Sequence, residues 1–268
     1  MPASLSLALA SKPIARPPAG FDVRDVGGIG IAVLTRAAAH AEISDAMATG
    51  RHLKLAFCNA NLVNVAFDDA ALLRRLSGFL VLADGIGVDI GGWLLHGASF
   101  PANLNGTDFI PALFATEPRR LRVGLIGGRP GVADHAAEQL ARQFPRHAFN
   151  VISHGYFDPS EEALLLARLK AAPPDLLLVA FGNPRQERWI ADKLGPQHCS
   201  VAAGVGALFD FFAGEVPRAP EAIRRTRLEW VYRLWLEPRR LWRRYILGNP
   251  MFLLRLLRQR FFSGRPSR

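Results

Sequence analysis

Six short apolar runs dominate the sequence, and each ends at a polar or glycine-rich stretch. The runs span residues 53–58, 79–83, 121–126, 149–153, 175–181 and 200–205. Segments of helical period separate most of them. Strands that alternate with helices predict parallel βαβ units, because parallel neighbours need a crossover connection. The predicted fold class is therefore α/β, a three-layer, mostly parallel, Rossmann-like sheet with helices on both faces.

The second run carries the strongest candidate for chemistry. Residues 79–83 are all apolar, which predicts a strand buried on both faces, and Asp84 follows directly, with Gly85 and Gly87 in the next turn. Ligands of open α/β sheets bind beyond the carboxyl ends of the strands. Asp84 is therefore a candidate catalytic carboxylate. The alternative is that Asp84 only caps the helix that follows.

Two further loops at strand ends are candidates for ligand binding. Residues 127–131, Gly-Gly-Arg-Pro-Gly, precede a helix whose first backbone amides suit a phosphate, although tight-turn glycines are the simpler interpretation. Residues 182–187 begin another helix and place an arginine and a glutamine where they can reach a sugar or a phosphate. The turn before residue 108 is interpreted as a helix start, with Thr107 as its cap.

Metals and cofactors are not expected. No Asp-x-Asp follows a strand, no cysteine–histidine spacing suggests zinc, and neither a GxGxxG fingerprint nor a Walker loop is present. The two cysteines, Cys58 and Cys199, belong to apolar stretches and are predicted to be buried thiols of a protein in a reducing cytoplasm.

The positive charge lies almost entirely in the C-terminal fifth of the chain. The formal net charge is +10, and residues 216–268 hold 14 Arg, no Lys and three acids, which leaves the rest of the chain near neutrality. Such asymmetry predicts an anionic partner: nucleic acid, a membrane surface or a phosphorylated substrate. The tryptophans and aliphatic residues among these arginines favour a membrane interface, or packing on the core, over a solvated nucleic-acid arm.

Three parts are predicted along the chain. Residues 1–20 form a loose leader, residues 21–215 form the α/β core with two halves divided near residue 105, and residues 216–268 form a basic, amphipathic helical appendage that associates with membranes. Within the appendage, Pro238 ends one helix and the Gly-Asn-Pro at 248–250 acts as a stop before the last one.

Over roughly residues 53–252 the chain resembles the TagA/WecG/CpsF family of bacterial glycosyltransferases. The motifs that carry the resemblance, in order, are Asn59-Ala60, Ala83–Val88, Gly106–Asp108, Gly127–Gly131, His154–Phe157, Gly182–Glu187, Phe209–Gly214, Arg218–Pro220, Leu228–Trp230, Tyr232-Arg233 and Glu237–Arg240. No single motif is specific, but so many in this order are.

The resemblance implies an inverting, metal-independent transfer from a UDP-sugar donor to a polyprenyl-diphosphate-linked sugar. It places the protein on the cytoplasmic face of the cell membrane as a peripheral protein, without nucleic acid, and leaves a homo-oligomer open. It implies that the appendage closes over the site and touches the membrane.

The same resemblance assigns roles to individual residues. Asp84 matches the proposed general base, and Arg233, Arg240 and Arg243 match appendage arginines that meet diphosphate. Gln186 matches a residue near the donor sugar. The substrate-binding candidates are Asn59, Asn103, Thr107, Asp108, Gly127, Gly128, Arg129, Tyr156, Gly182, Arg185 and Gln186.

Two departures from the family pattern concern the donor pocket. Phe57 stands where the family often has threonine, and Asn103 stands where it often has arginine. N-acetylmannosaminyl and glucosyl transfer therefore both stay open, and we prefer a glucosyltransferase of exopolysaccharide synthesis. The alternative function is a nucleic-acid-binding or nucleotide-sensing α/β module that uses the basic tail.

Overall fold

The computed structural model describes residues 20–220, 223, 226 and 229–262, so all of the predicted leader except Gly20 lies outside the described residues. A six-stranded, all-parallel sheet with the order β4-β3-β8-β7-β5-β6 forms the centre. Its strands are β3 (Leu53–Cys58), β4 (Phe79–Ala83), β5 (Arg122–Gly127), β6 (Ala148–Ser153), β7 (Leu176–Ala180) and β8 (Val201–Gly204). All six predicted strands are confirmed.

Nine helices accompany the sheet between residues 20 and 212. They are α1 (Arg36–Thr49), α2 (Ala60–Phe67), α3 (Ala70–Leu76), α4 (Ile86–His96), α5 (Gly106–Thr116), α6 (Val132–Gln143), α7 (Pro159–Ala171), α8 (Arg185–Lys193) and α9 (Leu208–Phe212). A short antiparallel hairpin, β1 (Val23–Val26) and β2 (Ile29–Ala32), lies beside β4 and α4. The apolar runs did not predict this hairpin.

Alternate residues of the strands feed two separate apolar cores. Leu80 and Leu82 belong to one buried cluster, while Phe79, Val81 and Ala83 belong to the other. Successive side chains of a strand point to opposite faces, so a sheet covered by helices on both faces divides its residues in this way. The three-layer α/β fold is confirmed, and both cysteines are buried free thiols, as predicted.

The C-terminal helices are α10 (Glu229–Leu236), α11 (Pro238–Trp242), a π-helical turn (Arg243–Leu247) and α12 (Gly248–Phe262). Pro238 begins α11, so the predicted end of the preceding helix is confirmed. The predicted stop at residues 248–250 is wrong, because α12 starts at Gly248 and includes the proline near its first turn, where a missing N–H costs little. We call residues 229–247 the cover segment.

Helix α12 packs into the core of the protein. Phe252 and Leu256 are 1% and 0% exposed, and they lie against two glycines of α4. A Cβ added to Gly91 would stand 2.8 Å from Val26 Cγ1 and 3.3 Å from Leu256 Cδ1. Only glycine leaves room for this close approach. Gly87, one turn earlier in α4, faces Ala60 and Phe252, which a Cβ would meet at 3.2 Å and 3.6 Å, so its role is packing and not the turn that the sequence suggested.

Polar contacts also hold α12 in place. Arg255 donates to the carbonyl oxygen of Asn64 at 2.6 Å, pairs with Asp68 at 2.9 Å and lies over the ring of Phe67. Gln259 accepts the amide of Gly27 at 2.8 Å and donates to the Asp25 carboxylate. The division of the chain at residue 216 stays a prediction, but α12 shares the packing of the core.

Among the helices that the structure describes, none combines the length and the hydropathy needed to cross a lipid bilayer.

Candidate functional site

A cleft with a volume of about 780 Å³ lies at the carboxyl ends of the parallel strands. Its position follows from the strand register: Cys58 pairs with Ala83 at the ends of β3 and β4, so Asn59 and Asp84 emerge side by side. The lining residues include eleven of the predicted site residues: Asn59, Asp84, Thr107, Gly128, Arg129, Tyr156, Gly182, Arg185, Gln186, Arg233 and Arg240.

Asp84 leaves the sheet without capping α4. Its backbone N–H donates to the Cys58 carbonyl at 2.8 Å, which continues the strand pairing by one residue. The N-cap of α4 is Gly85, and no side chain caps this helix, so the capping alternative for Asp84 is wrong. Gly85 has φ +89°, a left-handed conformation that glycine adopts without strain. The carboxylate is thereby free to face the cleft.

Burial and nearby charges together set the proton affinity of Asp84. Burial raises the pKa of its carboxyl to about 6, since desolvation penalises the ionised form. Asn59 Nδ2 stands 3.4 Å from Asp84 Oδ2 and opposes this rise, as do the charges of Arg244 and Arg233, while Glu229 adds to it. A carboxyl with a pKa near 6 is mostly ionised at neutral pH and is still basic enough to take up a proton.

Asn59 and Asn103 support this corner of the site. Asn59 Oδ1 caps α2 by accepting the Leu62 amide at 3.1 Å, which turns the Asn59 NH₂ group toward Asp84. Asn103 does not line the cleft. Its Oδ1 accepts the Gly85 amide at 2.8 Å, so Asn103 fixes the turn that follows the carboxylate.

Gln186 joins two loops of the cleft. Its Oε1 accepts the amide of Gly182 at 3.1 Å and that of Gly206 at 3.0 Å, which ties together the chain after β7 and after β8. Its Nε2 donates at 2.8 Å to Glu187, a fully buried carboxylate that also accepts from Asn183. Burial raises the pKa of Glu187. The proposed contact of Gln186 with a donor sugar stays a prediction.

The cover segment contributes a stripe of charged side chains to the cleft. Arg233, Glu237, Arg240 and Arg244 all line it, at intervals of four, three and four residues, which is one face of a helical period. Arg243 does not line it. This side chain is exposed and lies over the ring of Trp242 at 5.4 Å. The structure therefore places Arg244, not the predicted Arg243, at the cleft beside Arg233 and Arg240.

Three other predicted residues lie outside the lining or act differently. Asp108 pairs with Arg218 at 2.9 Å. A Cβ on Gly127 would lie 2.6 Å from the Ala180 oxygen, so Gly127 serves strand packing. Thr107 lines the cleft but does not cap α5, since the N-cap is Asn105.

The rim of the cleft is formed by longer side chains. Tyr156 is 66% exposed, and Arg185 stacks over Phe181 at 5.0 Å. Arg129 pairs with Glu215 at 2.7 Å. Guanidinium groups and aromatic rings at one mouth are suited to a ligand that has both phosphate and a ring system.

Sequence reasoning missed several lining residues, among them Asp210, Phe211 and Arg244. Asp210 and Phe211 belong to α9, whose five residues are too few to show a period. Arg244 had a signal, because the stripe of acids and arginines that starts at residue 229 continues to residue 244 with helical spacing. In the part of the chain that is described, no group of three or more His, Cys, Asp or Glu residues is placed to hold a metal ion.

The chain is similar to known proteins over most of its length. The model of the glycosyl transferase WecG/TagA/CpsF family matches residues 24–266. This chain belongs to the WecG/TagA/CpsF family of glycosyltransferases. It is an enzyme of that class, which favours the predicted glycosyltransferase over the nucleic-acid-binding alternative.

Two Bacillus proteins illustrate the relationship. The N-acetylglucosaminyldiphosphoundecaprenol N-acetyl-beta-D-mannosaminyltransferase of Bacillus spizizenii is 34% identical over 193 residues, which cover 71% of this chain and 72% of the relative. The protein of the same name from Bacillus subtilis is 32% identical over 184 residues, which cover 68% and 70%.

Proposed function

We propose that this glycosyltransferase moves a sugar, with inversion, from a UDP-sugar to a polyprenyl-diphosphate-linked sugar, and that it needs no metal ion. The observation that carries the proposal is the carboxylate of Asp84, which lies at the strand ends in a cleft that arginines of the cover segment also line. The names of the two relatives supply the acceptor class, a sugar on a diphosphate-linked undecaprenol.

The proposed chemistry needs one base and one set of cations. Asp84 takes the proton of the acceptor hydroxyl while the hydroxyl oxygen forms its bond to the anomeric carbon. The bond from that carbon to the diphosphate breaks, and its electron pair leaves with UDP. A positioned general base typically contributes about 10²–10⁴-fold to the rate. Fixed guanidinium groups stabilise the charge that develops on the leaving diphosphate.

The outward side of the C-terminal helices supports a membrane location for this reaction. Trp235 is 75% exposed, and Phe261 and Phe262 are 72% and 74% exposed. Exposed aromatic and aliphatic residues among arginines suit the boundary of an anionic lipid surface. We propose that this side contacts the cytoplasmic leaflet, where the lipid-linked acceptor resides.

The donor sugar is the least constrained part of the proposal. The names of the relatives favour N-acetylmannosamine. Glucose in exopolysaccharide synthesis is the alternative that the two departures at Phe57 and Asn103 suggest. Phe57 lies in the lining of the cleft, where its ring packs on Gly106.

The test is a transfer assay with purified protein, synthetic N-acetylglucosaminyl-diphospho-lipid and either UDP-N-acetylmannosamine or UDP-glucose. We expect transfer with one donor, activity that survives EDTA, and a loss of about 10²–10⁴-fold in turnover for Asp84→Asn. An unfolding midpoint of the variant at or above that of the native protein is the control for folding. Turnover of Asp84→Asn close to that of the native protein, or activity that returns only with added magnesium, would contradict the mechanism.

A further inference from the structure

The cations of the cleft differ in whether they already have partners. Arg240 pairs with Glu237 at 2.5 Å, and Arg129 pairs with Glu215. Arg233 and Arg244 are different: each lies over an aromatic ring, Phe211 at 5.3 Å and Tyr245 at 5.4 Å, and the Nε atom of each is buried with no hydrogen-bond partner among the described residues. A buried donor without an acceptor is costly, so these two guanidinium groups are prepared for an anion that the ligand supplies.

Arg244 is the cation most closely linked to Asp84. Of the charges that act on this carboxylate, that of Arg244 has the largest effect, ahead of Glu229 and Arg233. Arg244 lies on the π-helical turn, and its side chain lines the same cleft as that of Arg233. Extra residues in such turns are frequent at functional sites.

We infer that Arg244 is the diphosphate-binding residue that faces the general base, and that occupancy of this position by a diphosphate is thermodynamically linked to the proton on Asp84. The inference rests on the proposed function. It assigns diphosphate binding to Arg244, whereas the resemblance assigned it to Arg243. It also adds a coupling between diphosphate binding and proton uptake by Asp84.

The direction of this coupling follows from the charges around Asp84. The groups that act on it are Arg244 and Arg233, which favour the carboxylate, Glu229, which opposes it, and the amide of Asn59. A diphosphate held by Arg244 compensates that positive charge, so Asp84 becomes a stronger base when the diphosphate is in place. By reciprocity, a proton on Asp84 strengthens diphosphate binding.

Other titrating groups near this carboxylate do not change the sign. Cys58 is fully buried, and burial, with added effects of Asp84 and Glu187, raises the pKa of its thiol well above the usual value. The thiol is therefore neutral over the working range of pH. Glu187, on α8, contributes its charge to the surroundings of Cys58 at the end of β3. All variants compared below keep Glu187, so it does not affect the comparison.

The experiment measures binding of inorganic pyrophosphate to the full chain by calorimetry, without any transfer reaction. We expect Arg244→Gln to weaken binding by about 10- to 100-fold, the effect of losing a hydrogen bond to a charged group. Arg244→Lys keeps the charge and loses the planar fork, so an intermediate loss is expected. Arg239→Gln removes an exposed arginine of the same segment that is outside the lining, and we expect less than a twofold change.

Arg243→Gln decides between the two assignments. A large loss of pyrophosphate affinity in Arg243→Gln, with none in Arg244→Gln, would overturn the inference. Parallel titrations with UDP and with farnesyl diphosphate identify the occupant: a loss confined to one of them in Arg244→Gln assigns the site to the nucleotide or to the lipid diphosphate. Unchanged binding of both would also overturn it.

The linkage is tested by Asp84→Asn. At pH 8 this variant should bind pyrophosphate several-fold more tightly than the native protein, because it lacks the ionised carboxylate, and the gap should close at pH 5. No gap at pH 8 would overturn the coupling. Because pyrophosphate binding does not depend on catalysis, an absent Arg244 effect beside normal sugar transfer refutes this inference alone. A clear Arg244 effect without transfer to any acceptor refutes the proposed function alone.

Discussion

The two parts of the C-terminal helical segment, which look alike in sequence, are held by the protein in different ways. Both are rich in arginine and in aromatic residues. In the cover segment Leu241 is the one buried residue. The stripe of charged side chains that this segment carries lines the cleft. Helix α12 buries Phe252 and Leu256 against glycines of α4. The difference shows that the basic tail combines a part that serves the site with a part that completes the core.

This contrast predicts that substitutions in the two parts separate stability from activity. Changes in α12 should lower the free energy of unfolding, whereas changes in the cover segment should alter function while the fold persists. The same packing predicts the result of removing the whole C-terminal part. Deletion from residue 216 onward removes Phe252 and Leu256, so the remaining core would expose the glycine-lined surface of α4 and should aggregate.

The largest effect is expected in α12. Phe252→Ala should lower the free energy of unfolding by about 3–5 kcal/mol, the usual range for a buried phenylalanine. Phe262→Ala, in the same helix but 74% exposed, is the matched control and should change stability little. Denaturant unfolding measures both variants. Equal stability of the two would show that α12 is not part of the core.

The next effect concerns Asp84, the carboxylate on which the cover segment acts. Its raised pKa means that the folded protein holds the proton more tightly than the unfolded chain, so ionisation costs stability above about pH 6 and costs nothing below about pH 4. Asp84→Asn removes that cost and should raise the free energy of unfolding at pH 8 by up to about 3 kcal/mol.

The test is to measure unfolding of the native protein and of Asp84→Asn across this range of pH. The gain in stability should shrink as the pH falls from 8 toward 4. A variant less stable than the native protein at pH 8 would mean that Arg233 and Arg244 stabilise the ionised carboxylate more strongly than burial opposes it.

A smaller effect is expected on the outward side of the cover segment. Trp235→Ala removes a 75% exposed ring that does not line the cleft and whose ring neighbour is Tyr232 at 6.2 Å, so stability should change little. Binding to vesicles with anionic lipid should weaken several-fold, because an interfacial aromatic anchor is lost. Flotation measures this, with Tyr156→Ala as the control, since Tyr156 is 66% exposed but lies at the rim of the cleft. Equal vesicle binding by the native protein, Trp235→Ala and Tyr156→Ala would mean that the membrane contact lies elsewhere on the protein.

The smallest effect is expected for the ion pair within the cover segment. The Arg240 side chain is 57% exposed and pairs with Glu237 three residues earlier. Such pairs contribute little, so Glu237→Gln should change the free energy of unfolding by less than about 1 kcal/mol. Thermal unfolding at low and at high salt checks this expectation. A larger, salt-sensitive loss would mean that charge pairing holds the cover segment closed.

The sequence by itself determined the six strands, their parallel direction and the position of Asp84 at a strand end. These features depend on local rules, since a short apolar run that ends at a polar or glycine-rich stretch specifies a buried strand and its turn within a short window. The same rules placed Asn59, Gly128 and Gln186 at one edge of the sheet, because parallel strands bring all their carboxyl ends together.

Only the tertiary structure decided which residues act across long distances in the chain. Gly87 looked like a turn residue and proved to be a packing surface for Phe252, which lies 165 positions later. The spacing of charged residues from 229 onward already favoured Arg244 over its neighbour Arg243 as a member of the stripe. Only the fold shows that this stripe faces the cleft, while Arg243 lies over Trp242. Local patterns cannot settle such choices, because the deciding contact comes from an element that folds against the segment from elsewhere in the chain.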